Sequence, residues 1–128
     1  MTWFNIPEGY SELQGFVYII TNMVNDKKYV GKKNFWTIQK RKPLKGRKNK
    51  RHRKVETDWK NYWGSCNNLL ADIEACGKEN FEREIIAVYK SKFDLAYYEA
   101  KYQFDKEVLF REDFYNQIIN IRLRRQSK

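Results

Sequence analysis

The strongest constraint on the fold is a pair of β-rich segments too close together to be anything but antiparallel neighbours. Residues 15–21 read Gly-Phe-Val-Tyr-Ile-Ile-Thr and residues 27–31 read Lys-Lys-Tyr-Val-Gly, with a short Asn- and Asp-containing stretch between them. Parallel strands need a crossover of a dozen or more residues, whereas antiparallel ones need only a turn, so the pair predicts a β-hairpin. If the connection has an even number of residues, the two of Asn25-Asp26 or the four from Met23 to Asp26, paired residue numbers sum to an odd value. Side chains alternate along a strand, so Tyr18, Tyr29 and Gly31 then share one face.

Further along, Asp58 to Trp63 reads as a short helix ended by Gly64-Ser65. Asn67 or Asn68 can cap a second helix, in which Leu69, Leu70, Ile73 and Cys76 recur at helical spacing before Gly77. Residues 81–89, Phe-Glu-Arg-Glu-Ile-Ile-Ala-Val-Tyr, predict a third strand whose Ile-Ile-Ala-Val run implies burial on both faces. Ser91 caps a longer helix that should reach Leu109. Phe93, Tyr97, Ala100, Phe104 and Val108 form its apolar stripe, with Glu99 at the boundary between core and solvent. Residues 118–123 are again β-rich. Residues 1–14 read as an arm whose Trp3, Phe4, Ile6 and Tyr10 pack back on the body.

At 128 residues the chain has room for one core, and 16% aromatic residues are enough to fill it. No apolar run approaches the roughly 18 residues of a membrane span, and the first residues lack the basic and apolar regions of a signal peptide, so an intracellular, cytoplasmic protein is expected. In that compartment Cys66 and Cys76 are expected as free thiols. With His52 they lack the spacing of a zinc site.

Charge is concentrated in one place. The chain carries 26 Lys and Arg against 16 Asp and Glu, and ten of the bases lie between Lys40 and Lys54 with no acid among them. The rest of the chain is therefore neutral. Such a block repels itself until a polyanion neutralises it, which points to nucleic acid and assigns Lys40, Lys45, Arg47, Lys48, Lys50, Arg51, Arg53 and Lys54 to the contact. Pro43 and Gly46 should stop any helix beginning after Asn34, so the block is expected as a loop between short helical pieces. Residues 121–128 form a second, smaller basic tail.

The residues also resemble a known family. Phe16-Val17-Tyr18 and Tyr29-Val30-Gly31 look like the paired motif of the GIY-YIG nucleases. Tyr62-Trp63-Gly64-Ser65, Gly77-Lys78-Glu79-Asn80-Phe81, a helix with Glu99 and a late Tyr115-Asn116 are similar to the phage-type homing endonuclease branch, so the likeness covers about residues 15–120. The resemblance implies an α/β fold with a small three-stranded antiparallel sheet flanked by helices. It also implies cleavage of DNA phosphodiesters with Mg²⁺ or Mn²⁺, by a protein that would be phage-encoded and act in a host's cytoplasm.

Carried onto this sequence, Tyr18 and Tyr29 match the motif tyrosines, one of which would take a proton from the attacking water. A free phenol has a pKa of about 10, so its phenolate costs roughly 4 kcal/mol at neutral pH. Lys28, Lys32, Lys33 and a metal ion are expected to lower that cost. Gly31 would let a phosphate approach closely, beside Lys32 and Lys33. Glu99 matches the metal-binding glutamate, and one carboxylate with waters and phosphate oxygens suits Mg²⁺. Asn116, or else Asn120, matches the asparagine that holds the site together. The family arginine has no clear counterpart: Gln39 stands near its spacing, so Arg41 is assigned, with Lys33 and Lys40 as substitutes and His52 as a conceivable assistant.

The expected reaction is in-line attack of water on phosphorus, with Glu99-bound metal stabilising the leaving oxygen and Arg41 or a lysine neutralising the phosphate. One such site cuts one strand, so a double-strand break needs a homodimer or two nicks by a monomer. The competing expectation is a non-catalytic basic module that only binds nucleic acid. Such a module would not require Glu99, because an acid near phosphate is unfavourable without a metal.

Overall fold

The computed structural model describes residues 2–48 and 51–126; the side chains of Arg41 and Arg51, and all of Lys50, lie outside the described residues. In chain order the elements are β1 (Gly15–Asn22), β2 (Lys28–Asn34), β3 (Trp36–Arg41), β4 (Arg51–Glu56), α1 (Asn67–Cys76), β5 (Phe81–Tyr89) and α2 (Lys92–Asp105), with 3₁₀ turns at Tyr10–Glu12, Trp59–Asn61 and Lys78–Asn80. β2, β1 and β5 form an antiparallel sheet in that order, and β3 and β4 form a separate two-stranded ribbon. The fold is thus α/β with a small three-stranded antiparallel sheet and two helices.

The hairpin takes the four-residue connection Met23–Asp26, closed by Asn22 N–H to the Lys27 carbonyl at 2.8 Å. Tyr18 stands opposite Gly31 and Ile20 opposite Tyr29, so both phenols and the glycine share one face, as alternation requires. That face packs on Trp3, Trp59, Trp63 and the α1 residues Leu69 and Ile73. The other face packs Val17 and Val30 on Leu95 of α2, Val108 and Phe114. β5 serves both layers because its register against β1 shifts between Val17 and Tyr18, which leaves Ile86 as the extra residue of a bulge. Ile85 and Val88 consequently join the first cluster and Ile86 the second, while the strand's first half alternates buried and exposed.

Several expectations are corrected. The basic block is not a loop between helical pieces. β3 ends at Arg41 and β4 begins at Arg51, both inside it. Its strands escape alternation analysis because Thr37 to Lys40 and His52 to Lys54 are exposed on both faces. The stripe of α2 is also misplaced: Tyr97 and Phe104 are exposed, and the buried positions are Leu95, Ala100 and Gln103. The helix stops at Asp105. Residues 118–123 form no strand. In the N-terminal arm Trp3 and Tyr10 pack on the core, but Phe4 and Ile6 are exposed. Phe4 instead joins the sheet through its backbone, its N–H reaching the Arg83 carbonyl at 2.8 Å.

Candidate active site

β2 is an edge strand, and alternate residues turn their backbone groups away from β1 toward open space. Such an edge invites pairing with other chains unless it is covered. Here each outward residue is met. Lys28 N–H donates to the Asp113 carbonyl at 2.9 Å and its carbonyl accepts from Tyr115 N–H at 2.7 Å. Val30 N–H donates to Asn116 Oδ1 at 3.0 Å, and its carbonyl accepts from Asn116 Nδ2 at 2.8 Å and Gln103 Nε2 at 3.1 Å. Lys32 N–H donates to the Glu99 carboxylate. Asn116 thus substitutes for a strand backbone, and the covering residues bring Glu99 and Asn116 to the same edge.

The row Leu95, Glu99, Gln103 explains how the helix does this. Positions four apart lie one above another on a helix, so a single face carries the core contact, the carboxylate and the amide. Glu99 is accordingly three-quarters covered or more, its side chain 17% exposed, and its nearest cation is Lys32 Nζ at 4.0 Å. Burial raises its pKa above the usual glutamate value, and Lys32 offsets this in part through its charge and its amide.

On the opposite face the tyrosines close over Gly31. A Cβ there would meet Tyr18 Oη at 2.5 Å and Tyr29 Cε2 at 2.9 Å, so the glycine makes room for the phenols. Gly64, at φ 88°, a conformation glycine adopts without strain, stands against the same two residues: a Cβ there would lie 3.4 Å from Tyr18 Oη and 3.6 Å from Tyr29 Cε2. Tyr18 is 1% exposed and donates its hydroxyl proton to Tyr62. Burial, first of all, and then Tyr29, Tyr62 and Glu99 push its pKa well up. Burial also raises Tyr29, although its oxygen accepts from the Ser65 hydroxyl, which favours the phenolate. The lysines therefore do not overcome burial in the free protein.

Tyr29 differs from Tyr18 in access. It lines a cleft of about 310 Å³ with Ser65, Asn67, Asn68 and Asn116, at the start of α1. The sequence reading missed Tyr62, Ser65 and Gln103 as members of this neighbourhood. Arg83 is a fourth: 2% exposed, it lies 4.6 Å from the Trp3 ring and 4.0 Å from that of Trp63, and donates to the Tyr62 carbonyl at 2.8 Å, which fixes the segment bearing Tyr62. Desolvation lowers its pKa to about 10, so it stays charged at neutral pH.

The other expected residues are scattered. Lys32 is at the edge with Glu99. Lys33 is engaged by Asp58 at 2.9 Å and lies 4.3 Å from the Tyr62 ring. Lys54 donates to the Ser11 carbonyl at 2.8 Å over the Trp36 ring, so it anchors the ribbon to the body. Arg41 pairs with Arg51 at the far end of β3, five residues or about 16 Å of strand beyond Trp36. Lys40 and His52 face each other one step nearer. Lys45, Arg47 and Lys48 are exposed in the turn region, and Arg53 is exposed on β4. Asn120 is exposed, which leaves Asn116 as the structural asparagine. Among the described residues no three His, Cys, Asp or Glu side chains converge, and no helix is long and apolar enough to cross a membrane.

No curated protein and no solved structure matches the chain. Residues 4–119, which hold the sheet, both helices and the Asn116 clasp, match the family model described as "Putative endonuclease segE, GIY-YIG domain", and the chain belongs to that family, with a GIY-YIG endonuclease domain spanning nearly its whole length.

Proposed function

We propose that the protein is a divalent-metal-dependent DNA endonuclease that hydrolyses phosphodiester bonds at the β2 edge. The observation that carries the reading is Glu99, a largely buried carboxylate whose charge reaches Tyr18 and Tyr29 and is answered only loosely by Lys32 at 4.0 Å. Burial of an acid without a close counter-charge is unfavourable, so the position suits a cation better than it suits the free protein. The lone carboxylate fits Mg²⁺ or Mn²⁺ taken up with water and substrate phosphate, since Mg²⁺ keeps much of its hydration shell. When bound, such an ion supplies positive charge for the phosphate and the leaving oxygen.

The chain's own residues do the rest. Tyr29, at the open cleft, receives the proton of the attacking water, with Ser65 donating to the phenol oxygen. Tyr18, buried and donating to Tyr62, holds the Tyr29 ring in place and is not itself the acceptor. Lys32, with its side chain 42% exposed, can leave Glu99 for a phosphate oxygen. Asn116 and Gln103 keep β2 from shifting under these groups.

The test is nicking of supercoiled plasmid with and without Mg²⁺, comparing wild type with Glu99→Gln at salt where both bind DNA equally. We expect metal-dependent nicking that falls on the order of 10³-fold in the variant. Tight binding without cleavage by wild type, in Mg²⁺ and Mn²⁺ and on several substrates, would overturn the reading in favour of a binding module.

A further inference from the structure

The ribbon of β3 and β4 has two unlike faces. Its register puts Trp36, Ile38 and Lys40 on one face, across from Glu56, Lys54 and His52, and puts Thr37 and Gln39 on the other, across from Val55 and Arg53. The first face is turned to the body at its base. Trp36 stacks on Tyr10 with ring centroids 6.0 Å apart, Lys54 reaches Ser11, and Glu56 accepts from the Tyr10 hydroxyl at 2.7 Å. The second face has Thr37, Gln39 and Arg53 exposed.

We propose that this second face enters the major groove of duplex DNA, with Gln39 and Arg53 against base edges and Lys45, Arg47 and Lys48 on the flanking phosphates. The inference rests on the reading that DNA is the substrate, and adds how the protein would recognise it.

Dimensions support the groove. Two paired strands lie about 4.8 Å apart. With side chains they fit a major groove about 12 Å wide and 8.5 Å deep, but not a minor groove of about 6 Å. Charge supports the partner, because ten bases without an acid between Lys40 and Lys54 give the ribbon no reason to project from the body unless a polyanion covers it. Side-chain chemistry supports base contact. Arginine pairs in two-point fashion with guanine O6 and N7, and glutamine with adenine N6 and N7. Gln39 and Arg53 are directly opposite on the ribbon, where Cβ atoms lie roughly 5 Å apart. That separation suits neighbouring base pairs stacked about 3.4 Å apart. A surface built only for phosphates has no use for an exposed glutamine directly across from Arg53 and next to Lys40.

The test selects bound duplexes from a random-sequence pool using the full chain without divalent metal, so that binding is read apart from cleavage. We expect a short preferred sequence. Arg53→Ala should flatten it at a guanine and Gln39→Ala at an adjacent adenine, each by roughly 5- to 150-fold in discrimination. Lys45→Ala should weaken all sequences alike and reduce the log-log salt slope by about 0.9. Methyl green, which occupies the major groove, should displace the protein, and distamycin in the minor groove should not.

No sequence preference, a preference unmoved by both variants, displacement by distamycin alone, or tighter binding to single-stranded DNA or RNA would each overturn the proposal. Thermal melts matching wild type would show that the variants fold. A protein that cuts DNA yet binds without the ribbon defeats this inference and leaves the nuclease reading standing. One that binds through the ribbon and never cuts does the reverse.

Discussion

The covered edge of β2 and the β3–β4 ribbon are both antiparallel β-structure, but they are stabilised in opposite ways. At the edge the outward backbone groups of Lys28 and Val30 and the N–H of Lys32 have partners from α2 or residues 113–116, and Val30, Tyr18 and Asn116 are buried. The ribbon has its own ladder and a clasp at its base, and little else. A lone two-stranded hairpin is marginal in water, and like charges along it lower its stability further. The contrast teaches that the edge is shaped by folding, whereas the ribbon's basic residues are left without acids between Lys40 and Lys54 to compensate them. The proposed reading puts cleavage at the first and recognition at the second.

The largest effect that would sharpen this division is at Tyr29. Tyr29→Phe should lower the single-turnover cleavage rate by roughly 10²- to 10⁴-fold, the range for loss of a positioned proton acceptor, with DNA affinity unchanged. Tyr18→Phe removes only the hydrogen bond to Tyr62 and should cost about 1 kcal/mol of stability with a much smaller loss of rate. If Tyr18→Phe abolishes cleavage while Tyr29→Phe does not, the roles of the buried and the accessible phenol are reversed.

A smaller effect separates the regions by stability. Asn116→Ala leaves Val30 N–H buried without its acceptor and removes one of two donors to the Val30 carbonyl, so unfolding in urea should show a loss of about 1–3 kcal/mol. Lys45→Ala or Arg47→Ala, on exposed side chains, should stay within about 0.5 kcal/mol of wild type. Equal losses at both places would mean that the ribbon is part of the cooperative core.

How far the sequence was legible follows the same boundary. Around the sheet, alternation set the hairpin register, and the shared face of Tyr18, Tyr29 and Gly31 was readable from the residues alone. α1 was equally plain, because Leu69 and Ile73 recur at helical spacing ahead of Gly77. α2 misled because its core-facing row, Leu95, Glu99 and Gln103, contains two polar residues that serve the β2 edge, while Tyr97 and Phe104 supply a more apolar stripe that faces out. Covering an edge strand is a tertiary need that periodicity does not express. β3 and β4 were missed for a different reason: nothing in them is buried beyond the base, so no alternation marks the strands, and Pro43 with Gly46 read as helix breakers when they mark the ribbon's turn. At the site, Asn116 and Glu99 were reachable only through the family motifs, and Tyr62, Ser65 and Arg83 act through contacts between segments distant in sequence.

The smallest effect probes the clasp where the two regions meet. Glu56 Oε2 accepts from the Tyr10 hydroxyl at 2.7 Å and from Trp59 Nε1 at 2.8 Å, and these bonds, Tyr10 first, hold its pKa below the usual glutamate value of 4.5. A carboxylate lowered on folding contributes stability that is present above its unfolded pKa and is lost as pH falls through the folded one. Acidification below about 4.5 should therefore loosen the ribbon base first. Hydrogen exchange, corrected for intrinsic rates, should speed up at the amides around the Trp36–Glu56 pair, while Val30 N–H, bonded to the neutral amide of Asn116, keeps its protection. Glu56→Gln should remove the pH dependence at the ribbon without changing Val30. Should Val30 lose protection in step with the ribbon, the two regions open as a single unit, and the separation of a fixed edge from a loosely held arm fails.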